Sequence, residues 1–150
     1  MLQVIGSIFA GGGKAGDFGW MIQQTEYADA LFVFNDNEEQ FLSHRKNPKV
    51  GTGCDVGGGN AVVRPYQCEN PPRAIGIPTG SKGNSYSSLT AHVQQTIDDA
   101  ISAIQSLIAT GRYQRLFYSA ANTAGALGTG IFDVGDDVKR YIVARLRAIK

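Results

Sequence analysis

Apolar and polar positions fall into blocks along the chain, and the apolar blocks repeatedly deliver it to glycine. Leu2 to Phe9 has the length and composition of a buried strand. Ala30-Leu31-Phe32-Val33-Phe34 is a second, aromatic-rich run that stops at the polar cluster Asn35-Asp36-Asn37-Glu38. Ala74-Ile75-Gly76-Ile77-Pro78 is a short strand entering a turn at Thr79–Gly83, and Arg115–Ala120 is another strand. Between Ser88 and Thr110, Val93, Ile97, Ala100, Ile101, Ile104, Leu107 and Ile108 recur at spacings of three and four, which predicts a long amphipathic helix closed by Gly111. A last helix is expected over about Gly135 to Ala148, with Asp136 and Asp137 at its start. Phe18 to Tyr27 reads as a short helix, Glu38 to Arg45 as a helix or loop, and residues 46–60 as irregular and in part mobile. Strands alternating with helices predict an α/β fold, a single domain of 1–150 with helices packed on a sheet in three layers.

Three glycine-rich segments follow apolar runs: Ala10–Asp17 (AGGGKAGD), Val56–Ala61 (VGGGNA) and Leu127–Phe132 (LGTGIF). The chain has 19 glycines in 150 residues, well above the typical ~7%. Backbone N–H groups in such loops can converge on a phosphate when the loops lie at strand ends or open helices. Tight turns between strands are the plainer alternative.

Composition narrows the ligand. The net charge is +1 and no run of Lys or Arg exceeds two, so the concentrated basic face that polynucleotides require is missing. No apolar stretch approaches the ~20 residues of a membrane span, and Met1 leads into its apolar run without a basic flank, so a cytoplasmic location is expected. Cys54 and Cys68 lack metal-ligand spacing, which predicts no metal site; they read as two separate thiols, with a single bridge as the alternative. The expected partner is a small anionic nucleotide rather than nucleic acid or membrane. No cofactor is implied, and a homo-oligomer stays open.

The chemical motifs favour binding over turnover. Gly13-Lys14 precedes Ala15 and Ile8 holds the first glycine position of a P-loop, so the magnesium-binding hydroxyl is missing. Gly11, Gly13 and Gly16 make one G-x-G-x-x-G with Asp36 further on, a lone dinucleotide motif. His44 and His92 are far apart in sequence, and paired carboxylates next to each other on a helix do not face each other. Asn35, Asp36 and Asn37 carry the donor and acceptor groups that recognise ribose or adenine, with a polar turn as the alternative. Arg64 and Arg73 offer cations for phosphate or for surface carboxylates. Tyr86 and Phe132 offer rings for stacking, whereas Tyr118 reads as core.

The order of these motifs resembles that of the macro domain, an ADP-ribose-binding α/β module. The resemblance runs over roughly residues 16–135, through Gly16-Asp17, Asp29–Asn37, Gly57-Gly58-Gly59-Asn60-Ala61 and Gly128-Thr129-Gly130-Ile131-Phe132. It implies that Asp17 meets the adenine amino group, that Gly57–Ala61 and Gly128–Phe132 wrap the two phosphates, and that Asn35 or Asn37 sits by the distal ribose, with Phe132 packed against it. The spacing after Asp29 and the roughly twenty residues between Asn37 and the triple glycine depart from the family pattern. The expected function is therefore capture of ADP-ribose or a related NAD-derived nucleotide, cyclic forms included, as a reader or as a sponge of the type phages use against host defence. The alternative is an ADP-ribosyl or phosphate-ester hydrolase, with Asp36 or Asn37 as the candidate catalytic groups and Glu38 beside them.

Overall fold

The apolar runs become strands, and alternation along each strand decides which layer a side chain joins. The computed structural model describes residues 1–150. Strand β1 (Gln3–Ile8) leads through the first glycine segment to one helical turn, α1 (Phe18–Met21), and a 3-10 turn at Thr25–Tyr27. Strand β2 (Ala30–Asp36) follows, then helix α2 (Glu38–Lys46), 3-10 turns at Thr52–Cys54 and Gly59–Cys68, and strand β3 (Ala74–Pro78). A small hairpin of β4 (Gly80–Ser81) and β5 (Asn84–Ser85) precedes helix α3 (Ala91–Ile108), strand β6 (Arg115–Ala120) and helix α4 (Asp136–Arg147).

The four long strands form one parallel sheet in the order β1-β6-β2-β3. The last strand in sequence thus lies between the first two. On β2, Leu31 and Val33 join Leu116 and Tyr118 of β6 in a core completed by Phe41 of α2, Ile97, Ile101 and Ile104 of α3, and Val138 and Ile142 of α4. The alternate residues Ala30, Phe32 and Phe34, with Phe117, face Phe18, Met21, Ile22, Ala61 and Val63 on the other side. There the Phe32 ring stacks on Phe117 at 5.5 Å and meets Phe18 edge-on at 5.1 Å. The fold is α/β with a helical layer on each face of a parallel sheet, as expected.

Local signals explain the element ends. Thr90 caps α3, its Oγ1 accepting from the Val93 N–H at 3.2 Å, and Gly111 turns the chain after the helix with φ 75°. The helix expected over Phe18–Tyr27 is shorter. Gln24 Nε2 donates to the Trp20 carbonyl at 2.9 Å, taking the acceptor that a continuing helix would use, and the chain passes into the 3-10 turn.

The two cysteines correct the expectation of separate thiols: Cys54 and Cys68 form a disulfide. It joins the region read as irregular to the 3-10 turn at Gly59–Cys68, and the two are held further by Gln67 Nε2 donating to Gly53 O at 2.6 Å and Arg64 Nη1 donating to Asp55 O at 3.1 Å. No helix is long and apolar enough to cross a membrane.

Candidate functional site

Because the four strands are parallel, their C-terminal ends share one edge, the place where open α/β sheets commonly bind ligands. The first glycine segment leaves β1 there, Asn35 and Asp36 end β2 with Asn37 following, and residues 121–135 leave β6. The second glycine segment belongs to no long strand, yet it reaches the same edge through Asn60. The Asn60 Nδ2 donates to Ser119 Oγ at 2.9 Å and to Gly16 O at 3.3 Å, while its Oδ1 accepts from the Phe18 N–H at 3.0 Å. One amide side chain therefore ties the second segment to the first and to the end of β6. Asn35 makes the matching tie on the other side, donating from Nδ2 to Gly128 O at 2.7 Å.

Two glycines are required by close approach. Gly16 has φ 100°, and a Cβ there would lie 1.9 Å from the Ile8 carbonyl oxygen. Gly128 runs along the end of β6, where a Cβ would sit 2.9 Å from the Ala120 carbonyl carbon, and its N–H donates to Ser119 O at 2.8 Å. In the first segment the Gly13 N–H donates to Asp17 Oδ2 at 2.9 Å, which folds the loop around that carboxylate. In the second, Gly57 N–H donates to Ala61 O and Ala61 N–H to Gly58 O. In the third, Thr129 Oγ1 donates to Phe132 O and the Phe132 N–H to Thr129 O.

These bonds leave a set of donors over. The N–H groups of Gly58, Gly59 and Asn60, and of Thr129, Gly130 and Ile131, donate to nothing within the chain. Apolar side chains stand out around them: Phe9 is 60% exposed, Val56 67%, Ile131 96% and Phe132 64%. Lys14 is the one cation in the three segments. The arrangement offers backbone donors for an anion and ring and aliphatic surface for an apolar base, on open surface. Two clefts lie elsewhere. One of about 680 Å³ runs beside the disulfide between His44, Gln67 and Leu107, and one of about 470 Å³ lies between Ala124–Leu127 and α4.

Several residues expected at the site are committed to the fold instead. Arg64 points inward: it is 4% exposed, and its Nε and Nη2 donate to Asp36 Oδ1 at 3.1 and 2.9 Å. It is unavailable to a phosphate. Asp36, 5% exposed, cannot activate water. Burial pushes its carboxyl pKa up, and Arg64 with the Asn37 N–H pulls it back part of the way. Its Oδ2 has no hydrogen-bond partner and packs against Gly76. Asn37 caps α2, with Oδ1 accepting from the Gln40 N–H at 2.9 Å and Nδ2 donating to Gln40 Oε1. Both N–H donors of the Asn60 amide are occupied and its oxygen already accepts from the Phe18 N–H, so the donors this residue has left are on its main chain. Arg73 donates to the carbonyls of Tyr27 and Ala30. Of the rings, Tyr118 is core as expected, and Tyr86 is buried with its hydroxyl donating to Glu38 Oε1; Phe132 is the one left facing solvent.

Sequence reasoning missed one group on this edge. Ser119 anchors Asn60, but a serine inside an apolar strand carries no signal of that. Glu38 Oε1 takes the Tyr86 hydroxyl and lies 2.9 Å from His92 Nε2, joining α2 to α3. Burial and the Glu38 carboxylate raise the Tyr86 pKa, so the phenol stays protonated. Comparison with protein-family models, curated proteins and solved structures returns no match.

Proposed function

We propose that this chain binds ADP-ribose or a related NAD-derived nucleotide, cyclic forms included, at the C-terminal edge of the sheet and does not turn it over. The observation that carries the reading is the pair of N–H sets, Gly58–Asn60 and Thr129–Ile131, which lack partners and are tied to one edge through Asn60 and Asn35. Two clusters of backbone donors suit the two phosphates of a diphosphate, with charge-assisted bonds to each. Phe9, Val56, Ile131 and Phe132 supply apolar surface for the base or a ribose. Asp17 keeps one carboxylate oxygen beyond its bond to Gly13 and can accept from an exocyclic amine.

Binding without turnover follows from the state of the candidate catalytic groups. Asp36 is buried against Arg64 and Asn37 is a helix cap, so neither can position water. Retention of an intact nucleotide suits a protein that sequesters a signal.

Calorimetric titration with ADP-ribose and with cyclic ADP-ribose isomers tests the proposal. A micromolar or tighter Kd is expected, about −8 kcal/mol or better. Gly58 has an ordinary φ of −82° and open space where a Cβ would go, so Gly58→Val should fold normally and bind at least about tenfold more weakly. Binding no tighter than about 1 mM refutes the reading. Recovery of cleaved nucleotide in place of the intact ligand would favour the hydrolase.

A further inference from the structure

The two edges of the sheet are treated differently. On β3, the Arg73 carbonyl accepts from Phe32 N, so residues 73, 75 and 77 turn their main-chain groups to β2 and Gly76 turns its own outward. That outward N–H is satisfied: Gly76 donates to Gln67 Oε1 at 3.2 Å, from the 3-10 turn running alongside. On β1, Gln3 N donates to Gln114 O, so Gln3, Ile5 and Ser7 face β6 while Val4, Gly6 and Ile8 turn their N–H and C=O groups outward. No strand and no side chain donates to or accepts from these outward groups. The usual protections of an open edge are missing as well. From Leu2 to Gly13 the chain holds no charged residue and no proline, and Gln3, Gly6 and Ile8 are exposed.

We propose that β1 is the interface of a symmetric homodimer, formed by antiparallel pairing of β1 with β1 of a second copy. The strand is self-complementary in one register. With Ile5 facing its own counterpart on the two-fold axis, Val4 of one copy faces Gly6 of the other, and the pairing stops short of Ile8, whose carbonyl is covered by Gly16. Val4 and Gly6 then meet as hydrogen-bonded pairs, each exchanging two main-chain bonds, and Gln3–Ser7 and Ile5–Ile5 alternate with them as the closer pairs. Registers centred on Val4 or Gly6 align fewer residues. Copies carrying a net charge of +1 repel each other little. The two four-stranded sheets become one of eight, with the glycine-loop edges at opposite ends. The second copy therefore adds nothing to the nucleotide site, and the dimer stands or falls independently of it.

Sedimentation velocity over a concentration series, with amide exchange read by NMR, tests the proposal without any ligand. The 16.0 kDa chain should approach twice its mass as concentration rises toward about 200 µM. Over the same range the Val4 and Gly6 amides should slow by roughly tenfold or more, while Ile5 and Ser7, already paired to β6, should not change. Val4→Pro removes an outward donor without touching the β1–β6 ladder and should give a folded monomer. Gln3→Lys, at an exposed position facing Ser7 of the second copy, should weaken the dimer roughly tenfold even if the proline variant misfolds. A monomer throughout the series overturns the proposal. So does a dimer that forms with these two amides still exchanging freely, or one insensitive to Gln3→Lys.

Discussion

Replacing Asn60 with alanine removes the one side chain that joins the second glycine segment to the first and to β6. Three hydrogen bonds go: from Phe18 N–H at 3.0 Å, to Ser119 Oγ at 2.9 Å and to Gly16 O at 3.3 Å. Each is part-buried, and a bond of this kind is worth about 1 kcal/mol net. The longest contributes least, and water can reach part of the vacated space, so the sum is about 2–3 kcal/mol. With a urea slope of about 2 kcal/mol per molar, the unfolding midpoint should fall by about 1–1.5 M at an unchanged slope. Asn37→Ala is a useful comparison, because it removes only a helix cap and should cost about 1 kcal/mol. Asn60→Asp keeps the acceptor for Phe18 but loses both donors and sets a carboxylate against the Gly16 carbonyl, so it should be no better than alanine. If Asn60→Ala lies within about 0.5 kcal/mol of the parent, the tie is not made in solution and the convergence of the loops fails with it.

Other consequences follow from groups already described. Arg64→Ala leaves the Asp36 carboxylate buried without its partner and should cost about 3–5 kcal/mol in chemical unfolding, whereas the pair Arg64→Met with Asp36→Leu should cost clearly less. Cys54→Ser opens a loop closed across a sequence separation of 14 and should lower stability by about 3 kcal/mol, with reductant having no further effect on that variant. Glu39 is held below its usual pKa of 4.5 by bonds from Ser81 Oγ and Lys82 N–H, so its contribution is complete above that value and is lost as pH falls through the lower folded value. NMR signals of the β4–β5 hairpin should therefore shift only in acid, with a midpoint below 4.5, and Glu39→Gln should abolish that step.

Elements that rest on a single periodicity were legible from sequence. The stripe from Val93 to Ile108 and the run Ala30–Phe34 each report one buried face or one buried strand, and both form as read. Strand order was not legible, because β6 lies between β1 and β2, and nothing local records which strands pair across 80 residues or more. The site divides in the same way. That glycine lines the strand ends could be read from composition and position. Which polar side chains are free could not, since that depends on distant partners: Arg64 finds Asp36, Asn60 finds Ser119, and Asn35 finds Gly128. Asn37 was an exception in principle. Its place three residues before Gln40 at the head of a helix is a capping pattern, and a cap uses up the very amide expected at the ribose.

The most direct measurement is an amide-resolved NMR titration of the protein with ADP-ribose. The proposed engagement of both segments by one diphosphate predicts that the N–H signals of Gly58, Gly59, Thr129 and Gly130 shift together with a single midpoint. No saturable shift in these amides up to about 1 mM, or saturation confined to the His44–Leu107 cleft, would contradict a nucleotide site at the strand ends.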